Sequence, residues 1–314
     1  MKGTKKTIMA QKWLAIVNPV SGGNKNEKQS AIIISHLQQK GINPEIKTTH
    51  EKGSAIQLTK EGIENGHQNI IVIGGDGTLN EVINGVMLQQ AMPSSAISIA
   101  MFSLGTGNDF IRTFGISKDH IKTTEMLLQG NTKTIDVGWV QYQNNNKTAS
   151  RYFINVLGMA FDGAVTESAN STKGAIGKLT YLKSVVATLF KYEPTTMRVL
   201  VDDKEVANET LFCLNIGNCK YSGGGMRMVP DALPDDGLFD ITLMRPLPTL
   251  TALGNLHRLF NGTIYKLKEA THLRGKKLTV YSNPPICAEA EGEFLGWSTF
   301  EVAIIPKAIK IMVP

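Results

Sequence analysis

The chain has 314 residues, 42% of them hydrophobic, which supplies the core of one large or two ordinary domains and makes it globular. Its 33 Lys and Arg against 27 Asp and Glu leave a net charge of +6, which favours anionic partners such as nucleotides and acidic lipid headgroups. Aromatics at 7%, with no Cys/His finger and no RNP-like motif, set nucleic acid aside. Cys213, Cys219 and Cys287 form neither an even framework nor a C-x-x-C pair, so free thiols in a reducing compartment, the cytoplasm, are expected. Lys2, Lys5 and Lys6 precede an apolar stretch that Gln11 and Lys12 break before a signal-peptide core forms. No run approaches the roughly 18 to 20 apolar residues of a membrane span.

Up to about residue 130 the pattern alternates. The spacing predicts strands at 13–17, 44–49, 69–73 and 97–102, with helices near 27–40, 54–65 and 78–89 between them. Leu79, Val82, Ile83, Val86 and Met87 share one helical stripe, and Ser54 is placed to cap its helix. Such alternation predicts an α/β domain with a parallel sheet wrapped by helices, residues 1–131. From Thr132 short β-like runs follow at 133–142, 151–158, 197–202, 210–217, 238–244, 277–282 and 298–304. Turn chemistry at Asp202-Asp203 and Asn283-Pro284-Pro285 separates some of them, so residues 132–306 read as a β-rich second domain. The Asn144-Asn145-Asn146 tract is a surface loop.

Two helical segments interrupt the second half. Lys173 to Tyr192 carries Leu179, Leu182, Val186, Leu189 and Phe190 on one stripe, bordered by Lys178, Lys183 and Lys191. Such a helix either packs its stripe on the sheet or lies against an anionic membrane. The other runs from near Thr249 to Asn261 and holds His257 and Arg258.

Three polar, glycine-containing loops fall at the carboxyl ends of strands in the first third of the chain, the edge at which open parallel sheets bind ligands. They are Asn18-Pro19-Val20-Ser21-Gly22-Gly23-Asn24, Gly74-Gly75-Asp76-Gly77-Thr78-Leu79-Asn80-Glu81 and Leu104-Gly105-Thr106-Gly107-Asn108-Asp109-Phe110. In the second, Gly74, Gly75 and Gly77 allow positive φ and let N–H groups approach anionic oxygens, and the helix near Leu79 adds its positive end. Asp76 repels a phosphate unless a cation or a hydroxyl proton lies between, which suggests metal-assisted phosphoryl chemistry. Neither G-x-x-x-x-G-K-[ST] nor a G-x-G-x-x-G after the first strand is present.

Together with Pro230-Asp231-Ala232-Leu233-Pro234-Asp235-Asp236-Gly237-Leu238-Phe239-Asp240 and Glu291-Gly292-Glu293, these loops resemble the diacylglycerol kinase catalytic family, which includes sphingoid and ceramide kinases and soluble bacterial members. The resemblance implies an ATP- and Mg²⁺-dependent lipid kinase with an α/β nucleotide domain, a β-sandwich-like second domain and catalysis in the cleft between them, lined in part by Tyr221 to Met226. It implies that Thr49, Gly74, Gly75, Asp76, Gly77, Thr78, Leu79, Asn80 and Thr106 meet the nucleotide. Asp76, Glu291 and Glu293 are the catalytic candidates, with Glu293 as base and Glu291 where the family usually has Asp. Asp236, with the carbonyls of Leu233 and Leu238, corresponds to a structural Mg²⁺ site in bacterial members. The last strand, from Lys307 to Pro314, is expected to return to the nucleotide domain. The implied partners are a lipid substrate and an anionic membrane visited transiently from the cytoplasm, and a homodimer is compatible with this picture. NAD kinases share the Gly-Gly-Asp-Gly-Thr turn, so an NAD kinase stays open as an alternative, as does a non-catalytic lipid- or nucleotide-binding regulator.

Overall fold

The computed structural model describes residues 8, 11–19, 25–144, 147–170 and 178–314. Expectations for Lys2, Lys5 and Lys6, for Val20 to Asn24, for Asn145 and Asn146, for 173–177 and for the side chains of Lys178, Leu179 and Leu182 lie outside it. The chain divides into two compact units, Met1–Ile135 with Lys307–Pro314, and Asp136–Pro306.

The first unit is built on strands β1 (Trp13–Val17), β2 (Glu45–Thr48), β3 (Asn69–Gly74) and β4 (Ser98–Ser103), in the order β2-β1-β3-β4 and all parallel. The last strand, Phe300–Met312, ends here too, with Lys310 opposite Ser98 in parallel register. Continuous apolar runs such as Leu14-Ala15-Ile16 and Ile70-Ile71-Val72-Ile73 are wholly buried, as helices covering both faces of a sheet require. β2 alternates Glu45-Ile46-Lys47-Thr48 because it is the sheet's edge, where Ile46 stays exposed.

The helices of this unit are Lys25–Gln39, Ser54–Glu64, Asp76–Leu88, Asp109–Phe114 and His120–Gln129. Leu79, Val82, Ile83 and Val86 are buried, as their period demands. The cap expected of Ser54 does not form. Gly53 occupies the N-cap at φ 86°, and the Ser54 hydroxyl turns back to donate to Glu51 O at 2.7 Å. Glu81 of the neighbouring helix does the work instead, accepting the N–H groups of Gly53 at 2.8 Å and Ala55 at 3.1 Å.

The second unit is a β-sandwich-like domain. One sheet runs Ala270–Gly275, Phe239–Met244, Cys213–Gly217, Val156–Ala160, Ile286–Ala290, Glu293–Ser298, antiparallel throughout. The other pairs the start of Phe300–Met312 with Lys277–Ser282, then Thr195–Val201 and Lys204–Leu211. Thr132–Asn144 and Lys147–Phe153 form a hairpin beside it. Alternate residues Met197, Val199, Val201, Leu278 and Val280 point inward and meet Leu157, Met159, Leu214, Ile216 and Ile241 in one core. The predicted runs 151–158 and 210–217 are each two strands, broken at Ile154-Asn155 and at Phe212. Ala270–Gly275, Ile286–Ala290 and Glu293–Ser298 were not anticipated, because His272, Arg274, Glu289 and Gly296 hide their alternation.

Helices Phe161–Asn170, Lys178–Leu189, Thr249–Asn255 and His257–Asn261 pack beside the sandwich. The inward stripe of Lys178–Leu189 includes Ser184, Val185 and Leu189, whereas Phe190, expected on it, lies past the helix end and is 64% exposed. No described helix is long and apolar enough to cross a membrane. All three cysteines are buried free thiols.

Candidate active site

In the first unit the β3 and β4 loops lock together. Leu104 N–H donates to Gly74 O at 2.7 Å, and a Cβ on Gly105 would stand 2.8 Å from Gly75 Cα. Gly74 leaves room for Thr78, whose hydroxyl would be 2.7 Å from a Cβ there, and a Cβ on Gly107 would be 2.8 Å from Asp76 Oδ2. Positive φ is not what these glycines supply, contrary to expectation: Gly75 has φ −100°, and among these loop residues the left-handed one is Asn108 at φ 59°. Their function is to let two backbones touch.

Asp76 is equally occupied. Its Oδ2 accepts the N–H of Asn108 at 2.7 Å and of Asp109 at 3.4 Å, and its Oδ1 that of Phe110 at 3.4 Å. The carboxylate thus sits at the start of the short helix Asp109–Phe114 and fixes the second loop onto the first. Asn18 Nδ2 donates to Thr78 Oγ1 at 3.0 Å, tying in the end of β1. Gly77 and Thr106 are the exposed members of the set, while Leu79 and Asn80 are fully buried, the Leu79 N–H already donating to Gly75 O at 3.1 Å. Thr49 is buried at the end of β2, its N–H on Val17 O at 2.9 Å. Gly77 and Thr106 are therefore the exposed residues of the loop pair at the carboxyl edge of the parallel sheet, next to the N-terminus of Asp76–Leu88.

In the second unit the Glu-Gly-Glu stretch is a two-residue hairpin turn. Glu291 at φ 56° and Gly292 at φ 80° link paired Ala290 and Glu293. Glu291 Oε1 accepts the N–H of Ile154 at 2.8 Å and of Asn155 at 2.5 Å, and Oε2 accepts Asn155 Nδ2 at 2.6 Å. It holds the break between two strands. Glu293 Oε2 lies 2.8 Å from Arg151 Nη2, both side chains 17% exposed. The preceding acid, Glu289, is buried with Oε2 on Gly292 N–H at 2.7 Å, and burial drives its carboxyl well above the usual carboxylate range.

Asp236, expected to hold a structural Mg²⁺ with the carbonyls of Leu233 and Leu238, has both carboxylate oxygens paired within the protein. Asp236 Oδ1 accepts Leu238 N–H at 3.1 Å and Oδ2 pairs with Arg274, whose Nε also lies 3.3 Å from the buried Asp240. A guanidinium occupies the place where a cation would neutralise Asp236, with Leu233 and Leu238 in the same turn. No group of three or more His, Cys, Asp and Glu among the described residues could hold a metal ion.

One feature carried no signal in the sequence. Helices Phe161–Asn170, Lys178–Leu189 and Thr249–Asn255 enclose a pocket lined by apolar side chains, Val165, Val185, Leu189, Met244 and Leu256 among them. Asp162 is its one acid, and Cys213 and Asn255 are also in its wall. The lining comes from segments spread between Phe161 and Leu267, and such a surface has no local period to read.

The diacylglycerol kinase catalytic domain profile matches residues 12–140, and that of the YegS C-terminal NAD kinase beta sandwich-like domain matches residues 155–313. This chain belongs to the diacylglycerol kinase catalytic family. Diacylglycerol kinase of Mycobacterium tuberculosis is 27% identical over 304 residues, covering 96% of this chain and 95% of its own. A Stenotrophomonas maltophilia protein named "Probable lipid kinase YegS-like" is 29% identical over 307 residues, 96% of each chain. Among solved structures, a diacylglycerol kinase from Bacillus anthracis superposes with a TM-score of 0.69 at 20% identity, over 97% of both chains. Yeast NADH kinase does so with a TM-score of 0.56 at 11% identity, over 97% of this chain and 84% of its own. At these identities the structural likeness shows the fold: an α/β domain followed by a β-sandwich-like one. The family is one of lipid kinases.

Proposed function

We propose that this chain is an ATP-dependent lipid kinase that transfers the γ-phosphoryl group of MgATP to the hydroxyl of a lipid such as diacylglycerol. The observation that carries the reading is the interlocked pair of glycine loops at the carboxyl edge of the parallel sheet, in a chain of this family. Phosphoryl transfer asks a protein chiefly to position phosphates and stabilise charge, and backbone N–H groups beside a helix N-terminus do both. Gly74, Gly75, Gly77 and Thr78 would meet the phosphates through the backbone, with Thr106 adding a hydroxyl, while Leu79 and Asn80 would only shape the helix end behind them. Asp76 keeps the two loops in register. Thr49 is assigned to the nucleotide's edge. Magnesium bound with the nucleotide would supply charge neutralisation beside these residues.

The acceptor side belongs to the second unit. A pocket walled by Val165, Val185, Leu189 and Met244 suits acyl chains. Glu293 is the base of this reading, held by Arg151, and Glu291 fixes the hairpin that presents it. Contact with an anionic membrane from the aqueous side is supported by exposed Lys183, Lys191, Phe190 and Leu250, the last 80% exposed, on or beside helices that line the pocket.

Incubating the purified protein with γ-labelled ATP and, separately, diacylglycerol, a sphingoid base, ceramide and NAD tests the proposal. Label in diacylglycerol is the expected result; label in a sphingoid base or ceramide would move the substrate within the lipid class. Label in NAD alone, or in none of them, would overturn it.

A further inference from the structure

Two histidines of the first unit meet where two of its helices pack. His36 lies in the last turn of Lys25–Gln39 and His120 is the first residue of His120–Gln129, both half-buried. Their ring centroids are 5.4 Å apart and the ring planes stand at 89°. The Nε2 of His36 is buried and has no hydrogen-bond partner. Other histidines of the chain are met differently: His67 has Nδ1 3.0 Å from Gly62 O and Nε2 3.4 Å from Glu45, and His272 has Nε2 on Asp240.

An edge-to-face contact explains why the two rings pack but does nothing for the nitrogen, and a buried polar atom without a partner is an exception that needs a cause. A neutral imidazole offers one lone pair, which a transition metal takes readily. With metal–nitrogen bonds of about 2.0–2.1 Å and a ring centre about 1 Å beyond each nitrogen, two imidazoles on one ion at square or tetrahedral angles have centroids about 4.5–5.5 Å apart. The spacing of His36 and His120 falls in that range.

We propose that His36 and His120 together bind a divalent transition-metal ion of the class Zn²⁺, Ni²⁺ or Cu²⁺, at a site separate from the glycine loops. Imidazole nitrogens suit these ions, whereas Mg²⁺ takes oxygen ligands. No third His, Cys, Asp or Glu joins the pair in a metal-holding group among the described residues, so water completes the shell and the ion exchanges with solvent. Asn26, near the opposite end of Lys25–Gln39, donates from Nδ2 to Leu104 O at 3.2 Å. The ion would therefore staple to His120–Gln129 a helix that also holds the loop after β4. The site depends on neither the lipid-kinase reading nor its substrate.

The test is a calorimetric titration of the metal-free chain with ZnCl₂, without nucleotide or lipid, beside thermal melts. Wild type should bind Zn²⁺ once per chain and melt at a higher temperature with it, while MgCl₂ at the same concentration leaves the melting temperature unchanged. His36→Gln and His120→Gln should each weaken Zn²⁺ binding at least about tenfold, because each removes one of two protein ligands. His257→Gln, at an exposed position of the second unit, should bind as wild type does. Glutamine suits a helix, so these variants should fold, which their melts without metal report. The proposal would be overturned by no saturable binding to wild type, by unchanged binding in either His36→Gln or His120→Gln, by the same loss in His257→Gln, or by an equal rise in melting temperature with Mg²⁺.

Discussion

The carboxylate of Asp76 holds the backbone of Asn108: Oδ2 accepts that N–H at 2.7 Å, across two loops that are 32 residues apart in sequence. Charge-assisted bonds of this kind contribute about 1.5–3 kcal/mol, and an amide in the same place would turn an NH₂ toward N–H donors. Asp76→Asn should therefore lower the melting temperature and weaken ATP binding together. Lost turnover with stability and ATP affinity both unchanged would show that the carboxylate acts on the reaction and not on the loop.

Two glycines of the same loop pair should behave in opposite ways. Gly105→Ala puts a methyl 2.8 Å from Gly75 Cα, backbone against backbone, so the loops must part and both stability and ATP affinity should fall. Gly77 has nothing within 4 Å of a Cβ and lies in the first turn of a helix. Gly77→Ala should keep or raise stability, by up to about 1 kcal/mol, yet weaken ATP binding because the methyl stands where phosphate approaches. Thermal melts and ATP titrations of the two variants check this. Unchanged ATP affinity in Gly77→Ala would remove that residue from the nucleotide surface.

The two acids of the hairpin separate structure from chemistry. Glu291→Ala strands the N–H groups of Ile154 and Asn155, which should cost more than about 2 kcal/mol in denaturant unfolding. Glu293→Gln should leave the fold and ATP affinity nearly intact and lower kcat on the order of 10²-fold, the usual effect of losing a positioned base. Near-normal kcat in Glu293→Gln would exclude it as the base.

Arg274 pairs with both Asp236 and Asp240, so removing divalent metal should not melt the second unit. The melting temperature should be the same in EDTA and in magnesium, and Arg274→Gln should lower it in both. A fall in EDTA for the wild-type chain would mean that a bound cation shares the turn with the arginine.

Much of this was legible in the residues, and the gaps have physical causes. Runs such as Ile70-Ile71-Val72-Ile73 and the stripe Leu79, Val82, Ile83, Val86 gave the first unit's elements, because burial on both faces of a sheet and on one face of a helix imposes simple periods. Glu289 in a fully buried strand broke that logic: a buried acid reads as a surface residue until its neighbours are known. The glycine loops were located correctly, yet the reason for their glycines was not, since a sequence cannot distinguish positive φ from the contact of Gly75 with Gly105. Glu81 was visible as part of the motif, but its capping of Gly53 and Ala55 depends on how two helices pack. Asp162 gave no sign at all. Its environment is assembled from strands and helices distant in sequence.

The account assigns the nucleotide to the first unit and the lipid to the pocket of the second, and Ala252→Trp tests that division most directly. Ala252 is a half-buried lining residue on the helix Thr249–Asn255, so an indole there fills the pocket and leaves every residue of the glycine loops unchanged. Steady-state phosphorylation of diacylglycerol, measured beside ATP binding, should show kcat/KM for the lipid falling at least about tenfold while ATP affinity stays within about twofold of wild type. Lipid phosphorylation that proceeds unchanged with the pocket filled would contradict the account.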